Sequence, residues 1–192
     1  MASFLLVYGT GEGQTAKIAD RIAAGLRDRG HDATPVDVES GPEETAVAGA
    51  DAVVVGTSIH VGKHHPAVVA FVEQFGDVLA DKPTAFVQVS LSSASPDEER
   101  RAEAARYVEE FLERTGWHPD RIATFGGALR YSEYGFLERL MMKRIAKDAS
   151  GDTDTSRDYE YTDWDEVAAF TADFAAFVEG RLGLAPPTGD DA

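Results

Sequence analysis

Val7-Tyr8-Gly9-Thr10-Gly11-Glu12-Gly13-Gln14-Thr15 joins an apolar strand to an amphipathic helix, and its reading decides the fold. Before it, Phe4-Leu5-Leu6-Val7 has the pattern of a buried strand. From Ala16 onward, Ile18, Ile22, Ala23 and Leu26 recur at helical spacing. The turn is rich in glycine and hydroxyls and holds no lysine or arginine. Such a turn sets backbone N–H groups and threonine hydroxyls around a phosphate at a helix N-terminus, where the dipole favours an anion. A P-loop requires a Lys-Ser or Lys-Thr pair after its last glycine, and none follows here. A dinucleotide fingerprint requires a third glycine where Gln14 stands. What remains is a neutral cradle, Thr10-x-x-Gly13-x-Thr15. Thr10 and Thr15 supply hydroxyl contacts in it, with backbone N–H groups from Gly11, Glu12, Gly13 and Gln14. The alternative is an ordinary strand-to-helix turn capped by Thr10.

The cradle resembles the phosphate loop of flavodoxins, where two hydroxyl residues and a central glycine hold the FMN phosphate. The rest of the chain suits that reading. Strands are expected at 3–8, 33–38, 52–56, 84–90 and 121–125. Helices are expected at 13–29, near 43–47, and at 66–79, 97–115 and 163–182. Gly30 stops the first helix. Pro96 followed by Asp97, Glu98 and Glu99 starts another. Near-continuous apolar strands alternating with helices imply an α/β three-layer sandwich around a parallel sheet. Five strands suit the flavodoxin-like order 2-1-3-4-5, with the ligand beyond the strand C-termini. The expected organisation is one flavodoxin-like domain over 1–184, interrupted by an insertion at about 127–162, and a disordered tail at 185–192.

The 192 residues suffice for a full core, and the hydrophobic share of 43% is that of a globular chain. No apolar run reaches about 18 residues, and no secretion signal is expected. The absence of cysteine excludes disulfides, iron–sulfur clusters and thiol catalysis, and fits a cytoplasmic location. Net charge is −16, from 34 acidic and 18 basic residues, which disfavours nucleic acid. The lysine-poor acidic surface also fits salt adaptation. Self-repulsion would then fall as salt screens it, and the melting temperature would rise between low and molar KCl.

Two further loops fall at the strand C-termini. Thr57-Ser58-Ile59-His60-Val61-Gly62-Lys63-His64-His65 offers Ile59 and Val61 as apolar walls for a flavin ring, with Gly62 as a reorienting peptide. Ser90-Leu91-Ser92-Ser93 offers small residues that let backbone approach the ring. His60 and Lys63 are read as electrostatic neighbours of the cofactor. The cluster of His60, His64 and His65 lacks nearby carboxylate or cysteine partners, so no metal site is assigned.

Past the fifth strand come Gly126-Gly127-Ala128-Leu129-Arg130-Tyr131, then Phe136-Leu137-Glu138-Arg139-Leu140-Met141-Met142-Lys143, then Gly151-Asp152-Thr153-Asp154-Thr155 and Tyr161-Thr162-Asp163-Trp164. With Glu12-Gly13-Gln14-Thr15, Gly56-Thr57-Ser58-Ile59 and Trp117-His118-Pro119-Asp120-Arg121, the chain resembles the menaquinone-dependent protoporphyrinogen IX dehydrogenase family, a long-chain flavodoxin-like group. The resemblance runs from the first strand to the last helix. It implies an FMN oxidoreductase of haem biosynthesis that oxidises a tetrapyrrole and passes electrons to a membrane quinone. It also implies that the insertion serves activity and membrane contact. The family is commonly basic in this region, whereas this chain is acidic overall.

On its own terms, 136–147 is a basic amphipathic stretch. Leu137, Leu140, Met141 and Ile145 share one face, with Arg139, Lys143, Arg144 and Lys147 around the rest. It suits an anionic bilayer on the inner face of the cell membrane. It suits equally well a helix packed on the sheet with solvated charges. Arg130, Arg139 and Arg144 are available to tetrapyrrole carboxylates, and Tyr131 as an aromatic wall. No catalytic residue is assigned, since hydride acceptance by a flavin requires no protein acid or base. A flavodoxin-type carrier without its own substrate and an FMN quinone reductase are the competing readings.

Overall fold

The computed structural model describes residues 1–129 and 158–184. Arg130, Tyr131, Arg139, Lys143 and Arg144, the stretch 136–147 and the tail 185–192 therefore lie outside the described residues. In chain order the elements are β1 (Ser3–Gly9), α1 (Gln14–Asp28), β2 (Asp32–Asp37), α2 (Glu44–Gly49), β3 (Ala52–His60), β4 (Lys63–His64) and α3 (Pro66–Ala80). There follow β5 (Thr84–Ser90), α4 (Glu98–Thr115), β6 (Arg121–Gly126), β7 (Ala128–Leu129), β8 (Tyr159–Glu160) and α5 (Trp164–Leu182).

The parallel strands lie in the order β2-β1-β3-β5-β6. With the two-residue β4 set aside, this is the expected 2-1-3-4-5. Strand alternation divides the core in two. Phe4 and Leu6 of β1, Val54 of β3 and Val87 of β5 face α1 and α5, where Ile18, Ile22, Leu26, Phe174 and Val178 meet them. Leu5, Val7, Val53, Val55 and Phe86 face the other way, onto Val68 and Val72 of α3 and Phe111 of α4. Two half-cores on one sheet give the three layers.

One expected loop is a strand. The segment read as 57–65 continues β3 as far as His60 and turns back through Val61-Gly62 into β4, pairing Ile59 with His64 and His60 with Lys63. Thr57 and Ile59 are β-branched and extend readily. Both turn residues have positive φ, 48° at Val61 and 72° at Gly62, the mark of a primed two-residue hairpin turn.

The ends of the insertion are pinned together. β7 and β8 pair antiparallel, Ala128 with Glu160 and Leu129 with Tyr159. Tyr161 N–H donates to the Gly127 carbonyl at 3.0 Å. Gly126 is obligatory here, because a Cβ would collide with the Tyr161 carbonyl. The chain therefore leaves and rejoins the domain at one place, beside the C-terminal end of the sheet.

Candidate functional site

A cleft of about 280 Å³ opens at the C-terminal ends of β1, β3 and β5. The β1–α1 turn supplies Thr10, Gly11, Glu12, Gln14 and Thr15. The β3–β4 hairpin supplies Ser58, Ile59, His60, Val61 and Gly62. The end of β5 supplies Ser90, Leu91 and Ser92. The sequence thus named three segments that the fold brings into one space.

Two of the named residues support the cleft without lining it. Gly13 is the N-cap of α1 at φ 82°, a left-handed conformation that a side chain would strain, and its N–H donates to Thr10 Oγ1 at 2.9 Å. Thr10 therefore closes the turn on itself. Ser93 holds the other loop: its Oγ lies 2.7 Å from Ser90 Oγ, and its N–H donates to Ser90 Oγ at 3.1 Å. Both are invisible to motif reading, which cannot separate a contact from its scaffold.

Thr15 and Gln14 begin α1 and are both buried. Thr15 Oγ1 and Gln14 Oε1 have no hydrogen-bond partner among the described residues. The other end of the Gln14 amide donates to Thr162 Oγ1 at 2.8 Å, and Thr162 donates to the Gly126 carbonyl at 2.6 Å. The turn is thereby tied to the base of the insertion. A buried hydroxyl left unpaired at a helix N-terminus is costly unless a ligand completes it, and a phosphate is the group that site favours. The donor set thus suits the phosphate of a flavin nucleotide.

The far wall of the cleft comes from α4, which the sequence reading missed. Arg100, Glu103 and Tyr107 all line it. Glu103 accepts from Ser92 Oγ and from the Tyr107 hydroxyl, each at 3.1 Å, and lies 3.5 Å from Arg100. Burial pushes the Tyr107 phenol up, and Glu103 beside it adds to that. The signal was present: spacing of i, i+3 and i+7 puts all three on one helix face. Arg100 brings a guanidinium to a cleft whose phosphate loop has none.

The three histidines face different partners. His60 Nδ1 lies 3.8 Å from Glu12 Oε1, and His65 Nε2 lies 3.6 Å from Glu39 Oε1. His64 Nε2 donates to the Tyr107 carbonyl at 2.8 Å, and burial holds this imidazole below its ordinary value. Lys63, expected beside the cofactor, instead opens onto the back of the hairpin. Gly9 lets His65 tuck over the start of the turn, where a Cβ would lie 2.7 Å from the ring. Trp164 donates its indole N–H to Glu160 at 3.0 Å and packs on the α1–α5 core.

The flavodoxin domain family model matches residues 5–156. Protoporphyrinogen IX dehydrogenase (quinone) of Escherichia coli strain K12 is 38% identical over 171 residues, covering 89% of this chain and 93% of that one. The chain belongs to the protoporphyrinogen IX dehydrogenase family of flavodoxin-domain proteins. A protein of the same name from Leishmania major is 34% identical over 173 residues, covering 90% of this chain and 74% of that one. At the level of fold, the chain is similar to a Fusobacterium nucleatum flavodoxin solved with flavin mononucleotide bound. The TM-score is 0.51 at 14% identity, covering 94% of this chain and 99% of that one.

Proposed function

We propose that the cleft binds FMN and that the chain is an FMN-dependent oxidoreductase that dehydrogenates protoporphyrinogen IX and passes the electrons to a quinone. The observation that carries the reading is the unpaired Thr15 hydroxyl at the start of α1, opening on the same cleft as the hairpin and the Ser90 loop. The chemistry the flavin supplies when bound is acceptance of hydride and its return to a quinone.

The chain's own residues bind and orient. Thr15 and the N–H groups of the turn other than that of Gly13 receive the phosphate. Ile59, Val61 and Leu91 offer apolar walls that exclude water from the ring. Arg100, held by Glu103, favours negative charge developing in the cleft. Glu103 also fixes Ser92 and Tyr107, so the α4 wall and the Ser90 loop move as one unit.

No helix among the described residues is long and apolar enough to cross a membrane. A membrane quinone requires surface contact, and the basic stretch 136–147 is the segment suited to it. Flotation with anionic liposomes at low salt tests this: binding that vanishes when Arg139, Lys143 and Arg144 are neutralised is expected. The activity is tested anaerobically on FMN-loaded protein. Protoporphyrinogen IX should bleach the flavin and release fluorescent porphyrin, and a menaquinone analogue should restore the colour. No bleaching would leave an electron carrier as the reading.

A further inference from the structure

The β3–β4 hairpin has two sides. One lines the cleft. Behind the other lies a groove of about 660 Å³, between the hairpin, the start of α3 and the C-terminal half of α4. The two spaces share Gly11, Ser58, His60 and Gly62, so they meet along the hairpin.

In a chain of net charge −16, the groove brings two cations together. Lys63 and Arg114 line it, with Glu110 as the one carboxylate among its described lining residues. The Lys63 ammonium has no ion pair or hydrogen bond among the described residues. Arg114 meets Glu73 through Nε at 3.3 Å, which leaves its terminal nitrogens uncommitted. Val69 and Phe111 add apolar surface. A free ammonium and the open terminal nitrogens of a guanidinium, beside an apolar wall, recognise a carboxylate carried on an apolar body.

We propose that this groove binds the carboxylate arms of the tetrapyrrole, with Lys63 and Arg114 as ion partners, while the macrocycle crosses the hairpin crest to reach the cleft. The proposal rests on the tetrapyrrole reading given above. It accounts for the crest itself. Val61 stands there 56% exposed, a large apolar side chain held at positive φ between the two spaces. An apolar macrocycle lying across it would cover that surface.

The test uses FMN-loaded full-length protein and two probes in the same detergent, protoporphyrin IX and its dimethyl ester, followed by fluorescence titration. The free acid should bind at least tenfold more tightly than the ester. Combining Lys63→Gln with Arg114→Gln should cost the acid at least tenfold and leave the ester within twofold. Unchanged FMN affinity in the double variant shows that the fold is intact. Equal binding of acid and ester by the wild type, or wild-type binding of the acid by the double variant, overturns the proposal. Flavin reduction by protoporphyrinogen IX separates the two levels. Reduction by wild type with an unchanged KM in the double variant overturns the groove alone. No reduction by wild type overturns the tetrapyrrole reading and the groove with it.

Discussion

The two ends of the sheet treat buried polar groups in opposite ways. At the N-terminal ends of the strands, nearly all are paired. Glu179 of α5 receives Arg29 through both oxygens, at 3.1 and 3.0 Å, and contacts His31 Nε2 at 2.9 Å. Half-buried Lys82 donates to the carbonyls of Val47, Ala48 and Ala50, and half-buried Asp120 accepts from Thr84. The indole N–H of Trp117 is the exception there. At the C-terminal ends, Thr15 Oγ1, Gln14 Oε1 and two imidazole nitrogens have no partner among the described residues. Unpaired groups are expensive, so the open end is the one where a ligand would relieve the larger cost.

The largest test breaks the closed end. Glu179→Ala removes the acceptor shared by Arg29 and His31 and leaves the buried His31 Nε2 without a partner. We expect a loss of about 3 kcal/mol, which corresponds to a fall in melting temperature of roughly 6–12 °C. FMN affinity at the far end should not change. The same carboxylate sets an acid limit. Burial pulls its pKa up, but the donors Arg29 and His31 outweigh burial and leave it below the ordinary 4.5. The unfolded chain therefore takes up this proton first. The stabilisation is complete above pH 4.5 and is lost as pH falls through the folded value. Urea titrations of wild type should weaken in that window more steeply than those of Glu179→Ala. Parallel pH profiles would remove Glu179 from the account.

A smaller effect is expected at the open end, and with the opposite sign for stability. Thr15→Val deletes an unpaired hydroxyl, so the FMN-free protein should gain about 1 kcal/mol. The same change removes a hydrogen bond to a charged phosphate, worth about 1.5–3 kcal/mol, so FMN should bind roughly 10–150-fold more weakly. Calorimetry on the FMN-free protein and fluorescence titration with FMN read the two sides. A destabilised FMN-free protein would mean that Thr15 serves the fold and not the ligand.

How much of this was legible follows from the same contrast. The sheet order, both half-cores and the three cleft segments were readable, because strand alternation, helical spacing and the Gly9–Thr15 turn are local patterns. Glu12, Gln14 and Thr15 were readable as residues of the cleft because the turn that holds them is contiguous in sequence. The Glu179–Arg29–His31 cluster was not, since it joins residues about 150 positions apart and no local pattern encodes it. Arg100, Glu103 and Tyr107 were missed for a different reason. Their helical spacing was visible, but a polar stripe normally faces solvent, and only the packing of α4 turns it toward the cleft. The hairpin was misread as a loop because two positive-φ residues at its tip include a valine, which such turns rarely accept.

That valine gives the smallest test. Val61 is the one residue other than glycine with positive φ among the described residues, and it sits at the crest between cleft and groove. A β-branched side chain in that conformation costs on the order of 1–3 kcal/mol. Asparagine tolerates it and is favoured at the first position of a primed hairpin turn. Val61→Asn should therefore raise stability by about 1 kcal/mol and the melting temperature by roughly 2–4 °C. If the crest carries the macrocycle, the same variant should raise KM for protoporphyrinogen IX by a larger factor than it weakens FMN binding. A gain in stability with unchanged KM would mean that the strain at the open end serves only the turn. A KM that rises as stability rises would mean that an apolar crest is retained at the expense of the fold, as the unpaired hydroxyl of Thr15 is in the same cleft.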